Sequence, residues 1–390
     1  MAEQDYNVWL GKRIREIMAE KKVKVRGFAK EIDLGRMTLE RILDGRYATA
    51  EELEKIAGGL GIAVERLKRT DVADLEKEYA DQLDNNQLGQ RGVQIAEQLA
   101  EAAIGRTEKR DALTKLGTAH YLLRNLDLAQ DLWERAYLLI KDTADHDLLF
   151  RTINNLLVIY LERHNYMALQ ALLDEVEPIF GEEELYPHGV IAHCRGQIAS
   201  LARDYTLTRT HFLKSLDSYR QIGHDAGVGR VLNNLGSDEY LQGNYEAAIS
   251  YLEEAREYWL KDSLHLRAVG LKQLAQAYLK AGRRAEALGI ADELLPAVSK
   301  LDAEQPGVWG VRVLDLMMIR AEVNGDIRPV VTYLGNADAP ELRCMIADRL
   351  TDFYLQKGDS QQALVYYRIV KASLPAESND FKRERWFSHF

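Results

Sequence analysis

The feature that most constrains this 390-residue chain is a pattern that returns about every 40 residues. The clearest copy, residues 233–258, reads NNLGSDEYLQGNYEAAISYLEEAREY. Leu235-Gly236 is followed by Tyr240, then Gly243-Asn244-Tyr245, then Ala248, Leu252 and Ala255. The same frame holds Leu116-Gly117, Tyr121, Asn125, Ala129, Trp133 and Ala136 in one copy, and Leu156, Tyr160, Asn165-Tyr166, Leu169 and Leu173 in another. Further copies carry Gly196, Asp204-Tyr205 and Phe212, then Leu274-Ala275, Tyr278, Gly282 and Ala287. Weak ones carry Gly325-Asp326 and Gly358-Asp359. The marker position, the second of the Leu-Gly pair, falls at 117, 157, 196, 236, 275, 318 and 351, in steps of 40, 39, 40, 39, 43 and 33. Residues 71–104 have room for one further, degenerate unit. Each unit is too small to bury its own apolar face, so a chain of this kind stacks its units around a shared core.

Small residues alternating with large ones at helical spacing let two antiparallel helices pack closely, and this frame resembles the tetratricopeptide repeat. The resemblance implies seven or eight helix pairs in a right-handed superhelix over residues 71–375. The period exceeds the usual ~34 residues of such repeats, which predicts longer helices or fuller loops. It also implies a concave wall lined by the first helix of each pair, where extended peptides bind. The inward positions are the two residues before the Leu-Gly pair and one a helical turn earlier. In two units these are Arg151, Asn154, Asn155 and Arg230, Asn233, Asn234. An Asn amide offers both donor and acceptor, as a peptide backbone requires. The same asparagines also read as repeat packing. Corresponding places hold Lys115, His193, Cys194, Lys272 and Gln273, and Glu162, Asp238 and Glu239 stand a turn or two further on, toward a basic peptide side chain.

Residues 1–70 are organised differently. Ile14, Ile17 and Met18 share a helix face; Phe28, Ala29 and Ile32 make a second. Asp33-Leu34-Gly35 interrupts, Leu39 and Ile42 resume, and Asp44-Gly45 stops that helix. Thr49 and Glu52 have the spacing of a capping box, opening a helix with Leu53, Ile56, Ala57 and Leu60 on its buried face. Val64 and Leu67 mark a fifth helix. The stretch FAKEIDLGRMTLERILDGR resembles the second and third helices of the Cro-type (XRE) repressor family, over residues 8–68 in all. It departs from that family at Lys24 and Val25, at Asp33 in the turn and at Gly35 in the cap. The resemblance implies that Arg36, Met37, Thr38 and Glu40 face base edges in the major groove, with Arg36 on guanine and Glu40 accepting from cytosine. Lys24, Arg26, Arg41 and Arg46 would hold phosphates.

Charge agrees with this division. Residues 1–70 hold 15 Lys/Arg against 12 Asp/Glu, while the remaining 320 hold 36 against 49. A slightly basic head on an acidic body directs only the head toward a polyanion. Two cysteines rule out a disulfide framework and fit a reduced, cytosolic setting. No apolar run approaches a membrane span, and the N-terminus has no signal-peptide core. There is no HExxH, phosphate loop or CxxC pair, and His188, His193 and Cys194 lack a further ligand for a metal. No cofactor, metal or catalysis is expected. The aromatic set Tyr240, Tyr245, Tyr251, Tyr258 and Trp259 reads as repeat packing. The tail FKRERWFSHF either docks on a partner protomer or caps the last repeat, with residues 376–390 set apart as a tail.

A helix-turn-helix head followed by about eight such pairs resembles the RRNPP group of quorum-sensing receptors, which includes PlcR- and NprR-like regulators and the arbitrium receptors. The resemblance implies an all-α homodimer whose heads bind double-stranded DNA at a two-half-site operator, under control of a short signalling peptide in the groove. A protein-interaction regulator, or a repressor without peptide control, are the other readings.

Overall fold

The computed structural model describes residues 3–85, 87–259, 264–304, 309–337 and 339–373. These are helices and their connections, with no strand among them. The tail expected to dock or cap lies outside the described residues. The chain divides into two compact units, residues 1–180 and 181–390.

The first unit opens with five helices: α1 (Glu3–Glu20), α2 (Val25–Glu31), α3 (Arg36–Leu43), α4 (Ala50–Gly59) and α5 (Val64–Lys68). Their apolar stripes converge on one core in which Ile14, Ile17, Phe28, Leu39, Ile42, Ile56, Leu60 and Leu67 are almost completely buried. Gly11 lets α1 cross the end of α3 at backbone distance. A Cβ there would sit 2.5 Å from the Leu43 carbonyl oxygen. The capping box forms as the spacing predicts: Glu52 N donates to Thr49 Oγ1 at 3.2 Å, and Thr49 N donates to Glu52 Oε2 at 2.7 Å. Asp33 takes a left-handed conformation (φ +49°) in the turn between α2 and α3. Gly35 leaves α3 without a side-chain cap. The first helix, at 18 residues, is the longest of the five.

A 3-10 turn (Thr70–Val72) leads to α6 (Ala73–Asp84) and α7 (Gln90–Ala102), the degenerate pair. Then α8 (Arg106–Leu122) pairs with α9 (Leu126–Ile140), and α10 (His146–Glu162) with α11 (Tyr166–Val176). The second unit continues with α12 (Leu185–Leu201) and α13 (Tyr205–Gln221), then α14 (Asp225–Leu241) and α15 (Tyr245–Trp259). Next come α16 (Leu264–Lys280) with α17 (Arg284–Glu304), α18 (Gly310–Asn324) with α19 (Arg328–Asn336), and α20 (Pro340–Gln356) with α21 (Ser360–Ser373). First helices of 17 residues explain most of the long period; the 21-residue α17 lengthens the step after it.

The marker position is where the two helices of a pair touch. A Cβ on Gly117 would meet the Trp133 ring at 2.5 Å, one on Gly196 the Phe212 ring at 2.4 Å, and one on Gly236 the Leu252 side chain at 2.6 Å. In each case the large partner follows 16 residues later, where the chain has returned one helix pair's width. Seven residues after each marker the backbone turns left-handed, at Arg124, His164, Arg203, Gly243, Gly282, Gly325 and Gly358. Glycine accepts that geometry freely, whereas a Cβ costs roughly 1–2 kcal/mol. Arg203 is exposed, so Arg203→Gly is expected to stabilise its repeat by up to about 1 kcal/mol, read as a shift in urea midpoint without a change in slope.

Candidate nucleic-acid interface and ligand wall

Helix α3 presents a mixed surface. Met37 is 64% exposed, Thr38 is half-buried, and Arg41 lies on the open side. Arg36, in the first turn, donates through Nε to Glu40 Oε1 at 2.8 Å. Two of the four base-reading candidates are thus paired with each other, four residues apart on one face. Arg46 is likewise engaged, donating to Glu52 Oε1 at 2.6 Å. Lys24 and Arg26 lie exposed at the start of α2. The exposed cations on and just before α2 and α3 are therefore Lys24, Arg26, Lys30, Arg41 and the Glu40-tethered Arg36, with Arg46 held on Glu52 at the start of α4. A guanidinium held on a carboxylate can still swing to a base edge, because an exposed ion pair is worth only about 0–1 kcal/mol.

In the second unit the first helices α12, α14, α16, α18 and α20 neighbour one another and form one wall. Polar side chains bridge it at every step. Asn234 Nδ2 lies 2.8 Å from His193 Nε2, Ser200 Oγ lies 3.5 Å from Asp238 Oδ1, and Ser237 Oγ donates to Gln273 Oε1 at 3.1 Å. Lys272 Nζ stands 3.1 Å from Asp315 Oδ2, with Arg349 at 3.8 Å on the other side of that carboxylate. Where α14, α16, α18 and α20 meet, a hollow of about 210 Å³ opens. Its floor is Leu279, Met318, Ile319 and Phe353, and its rim carries Tyr240, Gln276, Lys280, Glu322, Asp352 and Gln356.

The sequence-derived ligand residues separate into several groups. Arg230 is exposed, and the Asn233 Oδ1 atom is buried without a hydrogen-bond partner among the described residues. Asn234, Lys272 and Gln273 are committed to neighbouring helices by the bridges above. Glu239 also has partners within the repeats. It is 8% exposed, accepts from Arg209 Nη1 of α13 at 2.6 Å, and accepts from Asn244 Nδ2 at 2.9 Å. A carboxylate buried at that seam and already holding two donors ties α13 to α14. Arg151, Asn154 and Asn155 belong to the first unit, on α10. Arg151 is exposed, and the two asparagines are half-buried with no side-chain hydrogen bond among the described residues. Asp315 and Arg349 were missed, although they occupy frame positions three and two residues before markers 318 and 351. Gln276, one residue after marker 275, carried no such signal in the frame.

His193 is buried, with its ring 5.8 Å from that of Phe212. Burial, with Arg230 nearby, pushes its pKa down to about 3. The folded protein therefore keeps it neutral, which suits an Nε2 that accepts from Asn234. An unfolded chain protonates His193 below about pH 6.5, so stability is lost as pH falls through that value and the loss levels off near pH 3. Below about pH 6.5 the stability of the second unit should slope downward with falling pH on this account. Urea titrations of His193→Gln should show that slope flattened. Burial likewise pushes the Cys194 thiol up to about 12. Among the described residues no group of His, Cys, Asp or Glu could hold a metal ion, and no helix is long and apolar enough to cross a membrane.

Two family models match the chain: the Cro/C1-type HTH DNA-binding domain over residues 13–67, and the tetratricopeptide repeat over 189–261 and 227–300. No curated protein matches the sequence. Among solved structures, the apo form of the quorum sensor NprR from B. thuringiensis superposes with a TM-score of 0.58 at 14% identity, covering 92% of this chain and 100% of that one. A Rap protein complexed with Competence and Sporulation Factor gives 0.53 at 14% identity, covering 100% of both. The Rap conjugation gene regulator of the plasmid pLS20, in complex with the Phr* peptide, gives 0.50 at 15% identity, covering 96% of this chain and 99% of that one. This chain joins a Cro/C1-type helix-turn-helix domain to tetratricopeptide repeats. In fold it is similar to the quorum sensor NprR and to these Rap proteins.

Proposed function

We propose that the protein is a DNA-binding transcriptional regulator whose repeat domain receives a short signalling peptide. The observation that carries this is the joining of an HTH head, with α3 open to solvent, to a repeat wall that is polar along its length and hollowed at α14–α20. The Rap neighbours, complexed with a factor and a peptide, support the ligand class. Arg36, Met37, Thr38 and Glu40 would read bases, and Lys24, Arg26, Arg41 and Arg46 would hold phosphates. Arg151, Asn154 and Asn155 in one unit, and Arg230, Asn233, Asn234, Glu239, Lys272 and Gln273 in the other, would meet the peptide. One head contacts too little DNA to bind tightly, so a homodimer on two half-sites about 34 Å apart completes the reading.

The test is fluorescence anisotropy of the full chain on DNA from upstream of its own gene, at fixed salt. Peptides are added from the C-terminal end of any small secreted reading frame beside that gene. A shift of at least tenfold, about 1.4 kcal/mol of coupling, supports the proposal. Tight binding indifferent to every peptide leaves a repressor without peptide control. Absence of specific DNA binding leaves a regulator that acts through proteins.

A further inference from the structure

Helix α8 does not cap its own N-terminus. Its N-cap residue, Gly105, has no side chain and sits at φ +83°. The orphan donors of a helix start must find acceptors elsewhere, and here they find them on α1 of the head. Glu20 Oε2 accepts from Gly105 N at 2.7 Å, and Glu16 Oε2 accepts from Thr107 N at 3.0 Å. The Thr107 hydroxyl donates to Glu16 Oε1, and Lys109 Nζ donates to Glu20 Oε1 at 2.6 Å. These carboxylates precede their partners by more than 80 residues, so the contact is tertiary. Two carboxylates at a helix N-terminus also meet the favourable end of its dipole.

We propose that Glu16 and Glu20 are positioning residues that latch the DNA-reading head onto the first repeats by completing the N-terminus of α8. This deepens the function proposed above and rests on α3 being the DNA reader. Three observations support a latch distinct from the head's own core. Leu10, Ile14, Ile17 and Met18 bury the opposite side of α1 within the head, leaving Glu16 and Glu20 outward. The space beside the clasp is a cleft of about 610 Å³ walled by Ala19, Leu139, Ile140 and Leu148, so α1 is not packed against α9 there, and its other ties to the start of α8 are Ile104 on the head's core and the Arg13–Glu108 pair. Glycine suits position 105, because its φ of +83° disfavours a side chain and a Cβ on it would lie 3.1 Å from Glu16 Cβ. With both ends of the clasp fixed, a displacement of α8 carries the head with it as a rigid body, and two heads on one dimer keep a set spacing.

The experiment uses the full chain with spin labels at two exposed positions, Lys30→Cys in the head and Asp142→Cys beyond α9; the native cysteines are both buried. One narrow distance is expected in the otherwise wild-type chain, and a distribution at least twice as broad in Glu16→Ala/Glu20→Ala. Gly105→Ala should broaden it without touching either carboxylate, and Lys12→Ala should not. Circular dichroism and the urea midpoint of the head should stay unchanged, separating lost positioning from lost folding. On DNA recovered by selection from random sequence, the double variant should bind two-half-site sites about tenfold more weakly. It should also tolerate a wider range of half-site spacings while binding a single half-site as before. A narrow distance retained in the variant, or an unchanged spacing optimum, overturns the latch. A wild-type chain that selects no DNA overturns the DNA-reading assignment instead, and the spin-label distances then decide the latch alone.

Discussion

Phe212→Ala should destabilise the second unit by about 3–5 kcal/mol. The ring is 2% exposed and fills the notch that Gly196 leaves on α12, so its removal opens a cavity at the helix–helix contact that defines the repeat. Gly196→Ala alone should cost about 1–3 kcal/mol by overpacking, because its methyl would lie 2.4 Å from that ring. The two changes together should cost less than their sum, since the space vacated by the phenyl group admits the methyl. Native-state hydrogen exchange of α12, α13 and α14 amides reads these losses locally, as a chain of two compact units requires. Additive losses would mean that the two positions do not form the repeat's contact.

Glu108→Ala should cost a similar amount, about 3–5 kcal/mol, at the junction of head and repeats. Glu108 is 7% exposed, forms an ion pair with buried Arg13, and stands 3.3 Å from Arg69. Its other service is to accept from Ile104 N at 3.0 Å, just before α8. Arg13 also donates to the carbonyls of Leu67 and Arg66, so it cannot move out to water without breaking the seam between α1 and α5. Removing the carboxylate leaves two guanidinium groups facing each other in a poorly solvated place. Glu108→Gln keeps an acceptor for Ile104 and should lose less. Hydrogen exchange at the start of α8 and along α1 is the readout, and equal losses in both variants would show that charge plays no part.

The repeat was legible because its contacts are local. A small residue at the marker and a large one 16 positions on are two halves of one helix pair, so Gly117/Trp133, Gly196/Phe212 and Gly236/Leu252 show in the sequence as a spacing. The head was legible for the same reason: the Thr49–Glu52 capping box and the apolar stripes of α1 to α5 lie within a few turns of one another. The left-handed turns at Arg124, His164 and Arg203 show the limit of residue type. The backbone there follows the frame even where glycine is missing.

The candidate sites were legible only in part. Arg36 and Glu40 could be placed on one helix face, but their mutual ion pair depends on rotamers. Asn234 and Glu239 occupy suggestive frame positions, yet one is held by His193 of the preceding first helix and the other by Arg209.

By itself the sequence determined the helix pairs, their period, the core faces and the helix-turn-helix head, because each rests on neighbours within about 40 residues along the chain. Only the tertiary structure decided which polar groups remain open to a ligand, and how α8 obtains its cap from Glu16 and Glu20 and the head's Arg13 its counter-charge from Glu108. Those partners lie 85 to 95 residues apart, and no local spacing encodes a hydrogen bond or ion pair that folding alone brings within reach.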